Sequence, residues 1–254
     1  MLVAAAVCPC PPLLVPEVAA GAAPELDAAR AACADALGVL AAARPDRLVV
    51  VGPADETGQG RYAEGAPGSF RGFGVDVDVR LGRGTPDSAA PNPAAPNPTA
   101  PDPTTPEREL PPSLAVAAWL LAHTDRPDVP VEGLGVGELL EAGHCVRAGR
   151  ELAAPEQRVA LLVMGDASAC RTLKAPGYLD ERAAGFDAEV ARALGSADVP
   201  ALKALDSTLA HELKASGRAP WQILAGAAEN TALSGSLLYD EAPYGVGYLV
   251  AAWS

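Results

Sequence analysis

Three short apolar runs constrain the fold of this chain most: residues 2–7, 47–51 and 158–164. They read Leu-Val-Ala-Ala-Ala-Val, Arg-Leu-Val-Val-Val and Arg-Val-Ala-Leu-Leu-Val-Met. Each is too short for an ordinary helix and lacks polar alternation, so each reads as a strand covered on both faces. Each ends abruptly, in Pro9-Cys10-Pro11-Pro12, Gly52-Pro53 and Gly165-Asp166. Between the first two lies a helical pattern over residues 24–42. Leu26, Ala29, Cys33, Leu37 and Leu40 recur there at three- and four-residue spacing, and Pro24 suits a first helical turn. Cys33 falls on that apolar face and reads as a core residue.

The alternation continues. Residues 113–123, 137–152, 180–194, 200–215 and 220–228 read as helices, with Ser113 as the cap of the first. Residues 129–136, 236–240 and 246–253 read as further strands. Val75, Val77, Val79 and Leu81 alternate with polar residues, as in a half-exposed strand. The pattern predicts a three-layer α/β/α fold, with a mostly parallel or mixed central sheet and helices on both faces. With 254 residues, the chain reads as one domain. A proline-rich tract at about residues 83–112 is expected to be a disordered surface insertion, because proline at that density permits neither helix nor ladder.

Charge and sulfur narrow the function. The formal net charge is -13, and no cluster of Lys and Arg exists to neutralise phosphates, so nucleic acid and anionic membranes are not expected partners. The apolar start is broken by prolines and has no basic flank, which reads as a cytoplasmic protein without a leader or span. The five cysteines show no paired framework, so reduced thiols are expected. Oligomeric state is not readable.

The carboxyl ends of strands in open α/β sheets line a crevice that binds ligands. The turns at residues 8–12, 52–57 and 165–170 bring Cys10, Asp55, Glu56, Asp166 and Ser168 to that rim. Asp166 also suits a turn-ordering role, by accepting backbone N–H groups. Cys8 and Cys10 have no second thiol or histidine pair at zinc spacing. A nucleophilic Cys10 would need a base or a helix N-terminus. His123 and His144 sit on predicted helices without ligand spacing, and Trp221 reads as packing on a helix face.

Four segments, in order, resemble the class III extradiol ring-cleavage dioxygenases, in their B-subunit-like and Memo-type branch. They are Pro9-Cys10-Pro11-Pro12 with Val15-Pro16-Glu17; Arg44-Pro45-Asp46 through Val49-Val50-Val51 to Gly52-Pro53-Ala54; Gly165-Asp166-Ala167-Ser168-Ala169 with Pro176-Gly177-Tyr178 and Phe186-Asp187; and residues 239–251, from Tyr239-Asp240-Glu241 through Gly245-Val246-Gly247-Tyr248. The resemblance implies a ferrous site of two histidines and a third ligand, with an additional acid–base histidine. It assigns the ligands to Cys10, Ala54 and the Ser216-Gly217 turn, and the acid–base position to Ala169. All four family residues are replaced. His211, shortly before Ser216, is the one histidine that the resemblance brings near the site. The expectation is therefore a dioxygenase-like protein without iron or ring cleavage, a pseudoenzyme candidate that keeps a strand-end pocket for a small molecule or altered chemistry. Two alternatives stand beside it: an active ferrous-iron oxygenase with substituted ligands, and a non-enzymatic interaction protein.

Overall fold

Strands that are apolar on both faces need cover on both faces, and the chain supplies it. A computed structural model describes residues 1–83, 108–124, 128–154 and 157–254. The strands are β1 Leu2–Cys8, β2 Arg47–Pro53, β3 Gly60–Tyr62, β4 Pro67–Ser69, β5 Asp78–Arg80, β6 Val131–Val136, β7 Val159–Met164, β8 Gly235–Glu241 and β9 Tyr248–Trp253. The helices are α1 Pro16–Ala19, α2 Asp27–Ala42, α3 Pro112–His123, α4 Ala142–Leu152, α5 Ala183–Gly195, α6 Val199–Lys203, α7 Ser207–Glu212 and α8 Arg218–Ala227.

The central sheet runs β3-β6-β2-β7-β1-β9-β8. Its middle, β6-β2-β7-β1, is parallel, and β3 and β9 pair antiparallel at its flanks. Strand β8 continues the antiparallel meander from β9. Side-chain alternation splits the core into two clusters. Leu161, Val163, Val51 and Val7 pack on one face against α4, α5 and α8, while Leu162, Val50, Ala6 and Cys8 pack on the other against α2 and α3. This is the expected three-layer α/β/α architecture with a mixed sheet.

Register aligns the functional edge. Val7 pairs with Val163, and Val163 with Val51, so three parallel strands end level with one another. Pro53 pairs with Val136, which brings the end of β6 to the same edge. Ala251 of antiparallel β9 pairs with Val7, so continued register carries Tyr248 level with Cys10.

Several boundaries differ from expectation. Ser113 lies inside α3, whose N-cap is Pro111, and donates its hydroxyl to Pro53 O at 2.6 Å. Pro112 fits the first helical position because the missing N–H there has no intrahelical acceptor to lose. Residues 84–107 of the expected insertion lie outside the described residues, but its downstream flank is ordered. Arg108 donates to the carbonyls of Gln59 and Arg61 and stacks 4.0 Å over the Tyr62 ring, and Leu110 is buried. Pro24 sits in a 3₁₀ segment that precedes α2, and α4 begins only at Ala142. The expected helix at 200–215 is two helices, because Asp206 accepts the N–H groups of Thr208 and Leu209 and starts α7 anew. Of residues 75–81, only Asp78–Arg80 pair, in a separate hairpin with β4.

Candidate functional site

The turn after β1 is stiff, since Pro9, Pro11 and Pro12 flank Cys10 and fix φ. The one amide left free in that run reaches across to another loop: Cys10 N–H donates to Asp166 Oδ1 at 2.8 Å. Asp166 stands just past β7. Its own N–H donates to Ser216 Oγ at 3.1 Å, and its carbonyl accepts Gly217 N–H at 2.9 Å. Three loops from separate parts of the chain therefore meet at one residue. Their closeness requires glycine: a Cβ on Gly165 would stand 2.3 Å from Gly217 Cα, and one on Gly217 would enter the Trp221 indole.

The electrostatics follow from enclosure. Protein surrounds Asp166 densely, yet the residue keeps part of its surface open. Desolvation raises its carboxyl from 3.8 to about 7, against the opposing hydrogen bond from Cys10. Burial also pushes the Cys10 thiol well up, and the Asp166 carboxylate and Glu138 add to this; a hydrogen bond with Ser216 pulls the other way. Tyr248 is raised by burial first and then by Asp166 and Cys10. Cys10 is 8% exposed and Tyr248 2%. The cluster thus holds a titratable carboxyl and, near neutral pH, an uncharged thiol, hydroxyl and phenol.

The other sequence candidates go elsewhere. Ser168 is fully buried, and its N–H and hydroxyl both donate to Asp187 at 2.8 Å. Asp187 also accepts from Arg171 at 3.0 Å, so Ser168 belongs to an internal polar knot and does not line the rim. Asp55 is exposed; hydrogen bonds from Thr57 and Gly58 lower its pKa and order its own turn. Glu56 is exposed beside it. Ala54 is half-buried, with its N–H donated to Val136 O at 2.8 Å. Ala169 offers a methyl group, and its backbone ties Leu213 to Gly177. His211 is exposed on α7 and does not figure among the neighbours that shift Cys10 or Asp166. His123 stacks on Trp119 at 4.3 Å and bonds its carbonyl through Nδ1 at 2.8 Å. His144 is exposed, 3.3 Å from Glu141.

Sequence reasoning missed three contributors. Tyr248 reaches the cluster through the antiparallel register of β9, which no local pattern announces. Glu138 approaches from the loop after β6. Arg218, at the start of α8, is 2% exposed and donates to the carbonyls of Glu138 and Leu140 and to Gln222 Oε1, fastening that loop to α8. Its signal was a lone cation inside the small and apolar run Ala-Ser-Gly-Arg-Ala-Pro-Trp.

Ferrous iron, which the resemblance implies, does not fit these residues. Ala54 has no donor atom, and Ser216 Oγ already accepts Asp166 N–H. Among the described residues, no group of three or more His, Cys, Asp or Glu side chains stands together as a metal site.

Fold and cluster define a three-layer α/β/α protein with a polar cluster at the carboxyl ends of its parallel strands. The crystal structure of an uncharacterized protein from Escherichia coli K12 is similar, with a TM-score of 0.50 and 15% identity over 99% of both chains. At that identity the likeness extends to the fold alone. No family model and no curated protein matches the chain.

Proposed function

We propose that this protein is a class III extradiol dioxygenase-like scaffold that no longer opens aromatic rings and binds a small molecule at the strand-end recess, with Asp166 as its ionisable group. The observation that carries the reading is the convergence of Cys10, Asp166 and Ser216 from three loops, with the Cys10 amide on the Asp166 carboxyl and the Asp166 amide on the Ser216 hydroxyl. Two of these, Cys10 and Ser216, stand at positions where the resemblance puts metal ligands. The residue types support binding over nucleophilic chemistry, because attack by sulfur needs the thiolate and burial keeps the Cys10 thiol protonated. Asp166 can accept or return a proton near neutral pH, which suits either recognition or modest acid–base work.

The test uses protein purified anaerobically under reducing conditions and supplied with ferrous iron. Expected outcomes are substoichiometric iron, no ring-opened product from catechol, and a thermal midpoint unchanged by a chelator. Stoichiometric iron that disappears in Cys10→Ala, together with catechol turnover, would establish the active oxygenase instead.

A further inference from the structure

The two edges of the central sheet differ in what covers them. Strand β3 ends one side, and its outer carbonyls are occupied: Arg108 donates to Gln59 O at 2.8 Å and to Arg61 O at 3.0 Å. Strand β8 ends the other side. Helices α5 and α2 pack against β8, yet among the described residues only the ladder to β9 hydrogen-bonds the backbone of residues 235–241. A strand with an open edge is a template for another strand. Natural edges are commonly blunted with lysine or proline, and Gly-Ser-Leu-Leu-Tyr-Asp-Glu has neither. Leu237 and Leu238 are instead 38% and 40% exposed.

The side chains of β8 select what can cover it. A bulge between Leu237 and Tyr239 leaves Leu238 without a partner on β9 and divides the strand into two arms, 235–237 and 239–241. The second arm carries both charges, Asp240 and Glu241. The first arm and its approach, Asn230-Thr231-Ala232-Leu233-Ser234-Gly235-Ser236, carry none. A second β8 laid parallel and in register would set Asp240 beside Asp240 and Glu241 beside Glu241, where like charges repel. Laid antiparallel about Leu238, it sets Leu237 opposite Tyr239, Ser236 opposite Asp240 and Gly235 opposite Glu241. Each carboxylate then meets a small neutral residue, and the Ser236 hydroxyl can donate to Asp240. The bulge interrupts this pairing only at its axis. Strand β8 is thus complementary to itself, as a two-fold contact requires.

We propose that β8 is the contact of a two-fold homodimer, in which the strand pairs antiparallel with its own copy about Leu238 and the two sheets join into one. The contact removes Leu237 and Leu238 from water and gives partners to the outer N–H and C=O groups of β8.

Sedimentation equilibrium of the full-length protein, from about 1 to about 300 µM, should show a monomer–dimer equilibrium. Leu238→Lys sets two ammonium groups together at the axis. It should weaken dimerisation by at least about tenfold while leaving far-ultraviolet dichroism and cooperative unfolding intact. The register is tested at exposed Ser236, where substitution spares the core. Ser236→Lys should tighten the dimer and Ser236→Asp loosen it, by at least about twofold each. A monomer at every concentration would overturn the proposal. So would a dimer indifferent to Leu238→Lys, or two Ser236 variants that shift the equilibrium in the same direction. Species that grow beyond the dimer would overturn the two-fold contact in favour of an open, head-to-tail one.

Discussion

Asp166 is held where its charge is least comfortable, and this has a cost that can be measured. Its folded-state value of about 7 lies above the ordinary 3.8. A raised carboxyl favours folding while it is protonated. That contribution is complete below the unfolded-state value, at about pH 4, and is lost as pH rises to about 7. Asp166→Asn keeps an acceptor for the Cys10 amide and removes the titration. Every tenfold gain in the carboxylate's proton affinity on folding corresponds to about 1.4 kcal/mol, and solvent on the open side of the residue screens part of the total. The variant should therefore be more stable than the parent by about 2–4 kcal/mol at about pH 8 and equal to it at about pH 4. Urea unfolding across that range is the measurement, and a pH-independent difference would sink the account. A stabilising loss of a polar group is what is expected where a residue is kept for binding rather than for the fold.

At the scale of elements, the strand-end cluster depends on two loops that touch backbone to backbone. Gly165→Ala would drive a methyl group to 2.3 Å from Gly217 Cα, which neither loop can yield without losing the Asp166–Ser216 and Gly217–Asp166 bonds. The expected loss is about 2–4 kcal/mol, whereas Gly143→Ala on exposed α4 surface, where a Cβ meets nothing within 4 Å, should not destabilise the fold. Thermal denaturation of both variants decides it. The strands that carry these loops were legible because burial on both faces leaves long apolar runs, as in β1, β2 and β7. Strands β3 and β4 were not, since three residues carry no period. The division of α6 from α7 was written in Asp206-Ser207-Thr208, an N-cap that apolar spacing on either side obscured. At the site, Cys10 and Asp166 were legible from their places at strand ends, and Ser216 only through the resemblance. Tyr248 and Arg218 were not legible, because antiparallel register and a carbonyl-bound guanidinium are long-range facts. Ser168 was misplaced for the same reason: its partner Asp187 lies on α5, 19 residues onward.

For the whole molecule, the proline-rich tract interrupts the chain at a place the fold has fastened on both sides. Leu81 N–H donates to Ala66 O at 3.0 Å, and Leu110 N–H donates to Pro67 O at 2.8 Å, so both flanks are pinned to adjacent residues. Loop closure between points this close depends weakly on length, about 0.6 kcal/mol per doubling. Replacing residues 84–107 with a short glycine–serine linker should shift stability by less than about 1 kcal/mol; loss of cooperative unfolding would show that the tract belongs to the core. Sulfur offers a different consequence. Cys8, Cys33 and Cys145 are 0% exposed and Cys170 1%, while Cys10 retains 8%. A protein with five buried cysteines thus offers oxidants no surface thiol through which to couple two copies, and its thiols should resist alkylation until the fold opens.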